Sequence, residues 1–105
     1  MQFDRDLASK YKTLFLQVRA LLLEDSSVLE IKKPRITTYQ YAGTGLCHVR
    51  TRPNGVDIGF LKGVQLIDEL ALLKGSGKKV RVLQATHYSK QQLTYYINQA
   101  KKING

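Results

Sequence analysis

Asn54-Gly55 constrains this chain more than any other pair of residues. A two-residue type I′ hairpin turn needs positive φ at both central positions, and Asn-Gly accommodates both. The runs on either side, Leu46–Pro53 and Val56–Leu61, are therefore expected to be antiparallel strands. Such a turn sets Pro53 opposite Val56, Arg52 opposite Asp57, Thr51 opposite Ile58, Arg50 opposite Gly59 and Val49 opposite Phe60. Side chains alternate across a strand. Val49, Ile58 (with Thr51), Val56 and Phe60 then mark the face towards the core, and His48, Arg50 and Arg52 point the other way. Asp57 becomes a cross-strand partner for Arg52.

The remaining elements fall around this hairpin. Leu7, Tyr11, Leu14, Phe15, Val18, Leu21 and Leu22 recur at three- and four-residue steps, which predicts one amphipathic helix from Asp4 to Glu24. Leu29–Lys32 is a short strand ended by Pro34. Ile36–Tyr41 is another, followed by a turn at Ala42-Gly43-Thr44-Gly45. Leu66–Leu73 reads as one or two helical turns leading into Gly75. Val80–Ala85 is the last strand, with Val80 and Val82 inward and Lys79 and Arg81 outward. Ser89 with Gln92 forms a capping box that opens a C-terminal helix. Leu93, Tyr96, Ile97 and Ala100 make its apolar stripe, and Lys101-Lys102 suit its dipole. With 105 residues and no repeat or linker, residues 1–105 are expected to form a single domain. Its class is α+β, a mostly antiparallel sheet with the N- and C-terminal helices packed on one face.

Composition narrows the partners. The net charge of +9 favours an anionic ligand, a nucleic acid or an acidic protein. No apolar run reaches the length of a membrane span, and MQFDRDLASK lacks the order of a signal peptide, so the expectation is a cytoplasmic chain without membrane contact. The single cysteine, Cys47, has no disulfide partner within the chain and reads as a packed thiol.

Gly75-Ser76-Gly77-Lys78-Lys79 invites comparison with a nucleotide loop. A Walker-type loop needs G-x-x-x-x-G-K-[ST] between a strand and a helix. Here the two glycines are too close, Lys79 replaces Ser or Thr, and strand follows, so the stretch reads as a turn into a strand. Metal-ligand spacing is missing, with only His48 and His87 beside Cys47 and eight scattered carboxylates. Cys47 and His48 are neighbours on a strand, so they diverge and form no dyad. A minor enzymatic reading would use His48 or Glu30. Arg50, Arg52, Lys79 and Arg81, with Tyr39 and Tyr41 interleaved, instead have the make-up of a single-strand platform: charge for phosphates and rings for bases. The signatures of the common RNA-binding folds are missing.

Several stretches in order, EIKKP (Glu30–Pro34), YQYAGTGLCHVR (Tyr39–Arg50), VDIGFLKGVQLID (Val56–Asp68), LLKGSGKKVRVL (Leu72–Leu83) and a closing NQAKK (Asn98–Lys102), resemble the YdhG-like family, a bacterial domain of unknown function. The most specific part is G-F-x-K-G-x-x-L…L-x-G-x-G-K-x-x-R, met by Gly59, Phe60, Lys62, Gly63, Leu66, Leu73, Gly75, Gly77, Lys78 and Arg81. The resemblance implies a small α+β fold in which GSGK is the turn into the last strand, and it draws attention to Lys78 and Arg81 as anion contacts. Some members are described as frataxin-like iron chaperones, which implies an alternative role in iron delivery through carboxylates. Lys33 stands where the family commonly has tryptophan. The expectation carried forward is a non-enzymatic binding module without cofactor or metal, taking an anionic ligand or partner through Arg50, Arg52, Lys78, Lys79 and Arg81.

Overall fold

The computed structural model describes residues 1–105 as three helices on one face of a six-stranded antiparallel sheet. The strands are β1 (Leu29–Lys32), β2 (Thr37–Tyr41), β3 (Thr44–Arg52), β4 (Gly55–Phe60), β5 (Leu73–Lys74) and β6 (Arg81–Ala85), in spatial order β1-β2-β3-β4-β6-β5. The helices are α1 (Gln2–Leu7), α2 (Lys12–Leu23) and α3 (Lys90–Asn104), with a short 3-10 turn at Gly63–Gln65. This is the α+β arrangement expected from the sequence. No helix is long and apolar enough to cross a membrane.

The N-terminal helix is interrupted, where one continuous helix was expected. Ser9 accounts for the break: its hydroxyl accepts the Tyr11 N–H at 3.0 Å, a local bond that competes with the helical ladder. Asp6, fully buried, reaches across to β3 instead. Its Oδ1 accepts the Thr51 N–H (2.9 Å), the Thr51 hydroxyl (2.7 Å) and the Gln2 amide (2.8 Å). α2 then buries Leu14, Phe15, Val18 and Leu22. α3 starts at Ser89, whose Oγ accepts the Gln92 N–H, and buries Leu93, Tyr96, Ile97 and Ala100 as its pattern predicted. These side chains join Cys47, Val49, Val56, Ile58, Phe60 and Leu83 in one connected core. Phe60 meets Tyr96 with ring centroids 6.1 Å apart, close enough for a favourable tilted pair.

The central hairpin keeps its predicted faces but not its predicted register. Arg52 lies opposite Gly55, Thr51 opposite Val56, Arg50 opposite Asp57, Val49 opposite Ile58, His48 opposite Gly59 and Cys47 opposite Phe60. The centre of the turn is Pro53-Asn54, and Asn54 is not at positive φ. Pro53 is the cause: its ring fixes φ near −65°, which suits the first central position of a type I turn and is incompatible with type I′. Arg52 pairs with Gly55 where Asp57 was expected. The shift is therefore two residues, and a slip by an even number leaves every side chain on its own face. The two-residue turn with left-handed residues lies instead at Ala42-Gly43, with φ of 56° and 77°.

Two further expectations are corrected. Leu66–Leu73 does not form helical turns. The Asp68 carboxylate accepts the Leu72 and Leu73 N–H groups (3.1 and 3.3 Å) and the Tyr96 hydroxyl, so those amides are withdrawn from a helix. In β6 the inward row is Arg81, Leu83 and Ala85, set against Phe60, Ile58 and Val56, while Val82 lies beside Gly59 on the opposite row. Leu83 against Ile58 fixes that choice. Arg81 stays out of the core because it opens the strand, at the rim.

The G-F-x-K-G…K-x-x-R pattern acquires a packing explanation at Gly63. A Cβ there would lie 2.4 Å from the Arg81 nitrogen and 2.9 Å from its Cα, so the 3-10 turn can sit on the start of β6 only with glycine. Gly63→Ala is expected to destabilise the protein by about 1–3 kcal/mol, the usual cost of overpacking. Denaturant unfolding checks this, and an unchanged midpoint would show that the turn moves freely.

Candidate binding surface on the open sheet face

All three helices pack on the sheet face that bears Val49, Ile58 and Phe60, which leaves the other face without a helical layer. Alternation along β3, β4 and β6 puts His48, Arg50, Arg52, Asp57, Gly59, Val82 and Gln84 on this open face. The core partners hold the strands flat against the helices, so the side chains between them can only project outwards.

Charge on the open face is asymmetric. Asp57 is approached by Arg52, with Nε to Oδ2 at 3.8 Å, and its Oδ1 accepts the Gln84 amide at 3.3 Å. The expected Arg52–Asp57 pair thus forms on the diagonal rather than directly across. Gln84 also reaches Asn54 Oδ1 at 3.2 Å, tying β6 to the turn. Arg50, directly opposite Asp57, makes no ion pair within 4.0 Å and remains the uncompensated cation of the pair. His48 lies over Gly59: a Cβ at Gly59 would come within 2.3 Å of the imidazole. Burial lowers the His48 pKa and the Arg50 charge lowers it further, against an opposing pull from Asp57. His48 is accordingly neutral at pH 7 and adds no charge.

The five cations named from the sequence do not form one cluster. Arg50 and Arg52 stand at the β3–β4 turn end. Lys78 and Lys79 belong to the β5–β6 loop, and Arg81 opens β6 beside Phe60, at the far end of β4. Along β4, Phe60 is five residues from Gly55 (opposite Arg52) and three from Asp57 (opposite Arg50), about 17 and 10 Å at the rise of an extended chain. Arg81 is further occupied: its Nη1 donates to the carbonyls of Gly77 (2.6 Å) and Val80 (2.8 Å). The loop therefore turns carbonyl oxygens to a cation, whereas a phosphate cradle needs converging N–H groups. GSGKK is a hairpin connection between β5 and β6.

The aromatic half of a single-strand platform is not on this face. Tyr39 is fully buried on the helix side, where its hydroxyl donates to Glu30 Oε2 at 2.8 Å. Tyr41 lies under the Lys101 ammonium from α3. Both were expected beside the arginines, but the register places Tyr39 in the row of Cys47 and Phe60. Cys47 is buried, and burial pushes its thiol up to about 12, so it is un-ionised at neutral pH. His48 and Cys47 do project to opposite faces, as their adjacency required.

Most carboxylates are committed to the fold. Asp4 meets the N-terminal ammonium, Asp6 holds Thr51, Asp25 holds Lys101, Glu30 holds Arg19, Asp57 meets Arg52, and Asp68 caps Leu72 and Leu73. No three His, Cys, Asp or Glu side chains come together where they could share a metal ion. The carboxylates that an iron-delivering reading needs are dispersed. Lys62, which enters the sequence reading only as a motif position, lines a cleft together with Lys79; its one signal was its place between the end of β4 and Gly63. No family model matches the chain, and neither a curated protein nor a solved structure matches it.

Proposed function

We propose that this chain is a non-enzymatic, YdhG-like binding module of the cytoplasm that takes an extended anionic partner across the open face of its sheet. The observation that carries this reading is Arg50, an unpaired arginine on a sheet face that no helix covers, in a chain of net charge +9. Arg50 and Arg52 provide the first contact. Lys78 and Lys79, in the β5–β6 loop at the far end of β4 rather than on the face itself, provide a second, so a polyanion that runs on past the end of the sheet suits both groups better than one small ion does. Without exposed aromatic rings on the face, the contact is to charge rather than to bases. A nucleic-acid strand or an acidic protein segment has the required chemistry.

An amide NMR titration with a short single-stranded oligonucleotide tests the reading. Shifts are expected at Arg50 and Arg52 and on the β5–β6 loop, insensitive to base identity and lost at high salt. Shifts confined to the helices, or none at all, would contradict it.

A further inference from the structure

We propose that a separate cleft at the far end of the sheet binds a small phosphomonoester. The cleft has a volume of about 310 Å³ and lies between the start of β3, the end of β4 and the start of β6. Lys62 and Lys79 line it, together with Thr44 and Gln65; Leu61 and Val64 supply its apolar wall. No carboxylate is present in the lining.

The frame of the cleft is fixed while its polar groups are free. The Val64 N–H donates to the Lys79 carbonyl at 3.0 Å, which locks the 3-10 turn to the β5–β6 loop and holds the two lysines about one cavity. On the other side, the Asn104 amide donates to the carbonyls of Tyr41, Thr44 and Gly45 (3.2, 3.4 and 3.1 Å), fixing the strand that carries Thr44. Gly45 leaves the room that Leu61 occupies: a Cβ there would lie 2.2 Å from Leu61 Cδ1. Neither lysine forms an ion pair, and the side chains of Thr44 and Gln65 have no hydrogen-bond partner within the chain. With the backbone tied down on both sides, binding has only the lysine, threonine and glutamine side chains left to order.

The donor set selects the ligand class. Two ammonium groups match a phosphomonoester dianion, which carries a charge of about −1.5 to −2 at pH 7. A monocarboxylate would leave one lysine uncompensated, and flat carboxylate recognition is the work of arginine forks rather than lysine point charges. The volume is at the lower end for small-molecule sites, which begin near ~300 Å³. It accommodates a sugar-phosphate-sized molecule with its short carbon body against Leu61 and Val64. This site is distinct from Arg50 and Arg52 and stands without them; it shares only Lys79 with the open-face reading.

The test is an amide NMR titration with glycerol phosphate at constant ionic strength, with glycerol and acetate as comparison ligands. Saturable shifts are expected at Thr44, Gly45, Val64 and Gln65. Lys62→Gln and Lys79→Gln should each weaken binding about tenfold, the loss of one charge-assisted contact, and Arg50→Gln should leave it unchanged. Affinity should also fall as pH drops below about 6, where the phosphate loses its second charge. The proposal is overturned if these amides do not shift, if glycerol or acetate shifts them equally, or if the lysine variants bind as well as the wild type. An oligonucleotide that still shifts Arg50 and Arg52 while glycerol phosphate does nothing would remove the cleft and leave the open face standing. The converse result would remove the open face and leave the cleft.

Discussion

Glu30→Ala is expected to destabilise the fold by about 3 kcal/mol, a large part of the stability of a domain this size. Glu30 is on edge strand β1 yet points to the helix side, opposite Tyr39. Both its carboxylate oxygens are engaged by Arg19, at 2.7 and 2.9 Å, and Oε2 also accepts the Tyr39 hydroxyl. Burial alone would raise the Glu30 pKa, but the bonds from Arg19 and Tyr39 outweigh it and hold the carboxyl below its usual range. Alanine would strand a fully buried hydroxyl and a half-buried guanidinium that also lies 5.1 Å from the centre of the Phe3 ring. Breaking such a pair from one side costs more than the pair contributes. Arg19→Ala combined with Glu30→Ala should therefore cost less than the sum of the two single changes. The folded pKa is depressed, so this stabilisation is present above the unfolded value near ~4.3 and is lost as pH falls through the folded value. The gap between wild type and Glu30→Ala should be full at neutral pH and close in acid. Denaturant unfolding across that range decides it; a gap that stays constant into acid would mean the carboxylate charge is not what stabilises the corner.

Arg50→Glu is expected to weaken polyanion binding about a hundredfold at low salt, and Arg50→Gln about tenfold, because each removes or reverses a phosphate contact. Arg52→Gln should cost only a few-fold. The difference follows from Asp57, which lies 3.8 Å from Arg52 and already offsets part of its charge, whereas Arg50 has no such partner. Both positions are on the open face, away from the core, so the folded state should be nearly unchanged. Fluorescence anisotropy with a labelled oligonucleotide reads the ranking. Equal losses at Arg50 and Arg52 would show that the ion pair opens in the complex.

The faces of the central hairpin were legible because alternation depends on parity alone, and parity survived the two-residue shift in register. The register itself was not legible from Asn54-Gly55, since Pro53 moved the turn back by one position. The C-terminal helix was legible in full: its cap at Ser89 and its stripe from Leu93 to Ala100 are both local signals. In two places where the sequence misled, a side chain had taken a backbone partner. Ser9 broke the N-terminal helix, and Asp68 kept Leu66–Leu73 from coiling. β6 misled for another reason. Val80, Val82 and Leu83 give no clean alternation, and the inward row was settled by Leu83 meeting Ile58 across the sheet. That same parity turned Arg81 away from Arg50 and split the predicted cation cluster. Lys62 was hidden because a cleft between three strand ends leaves no mark in any one stretch of sequence.

The affinity of the wild-type protein for a short single-stranded oligonucleotide, followed from about 50 to 200 mM salt, tests the central claim most directly. Contacts from Arg50, Arg52, Lys78 and Lys79 predict that log affinity falls linearly with log salt, with a slope of about −2 to −3 at roughly −0.7 per phosphate contact. The slope should flatten by about one such contact in Arg50→Gln. Binding that ignores salt, or a slope unaltered by Arg50→Gln, would contradict the assignment of the open face as the anion-binding surface.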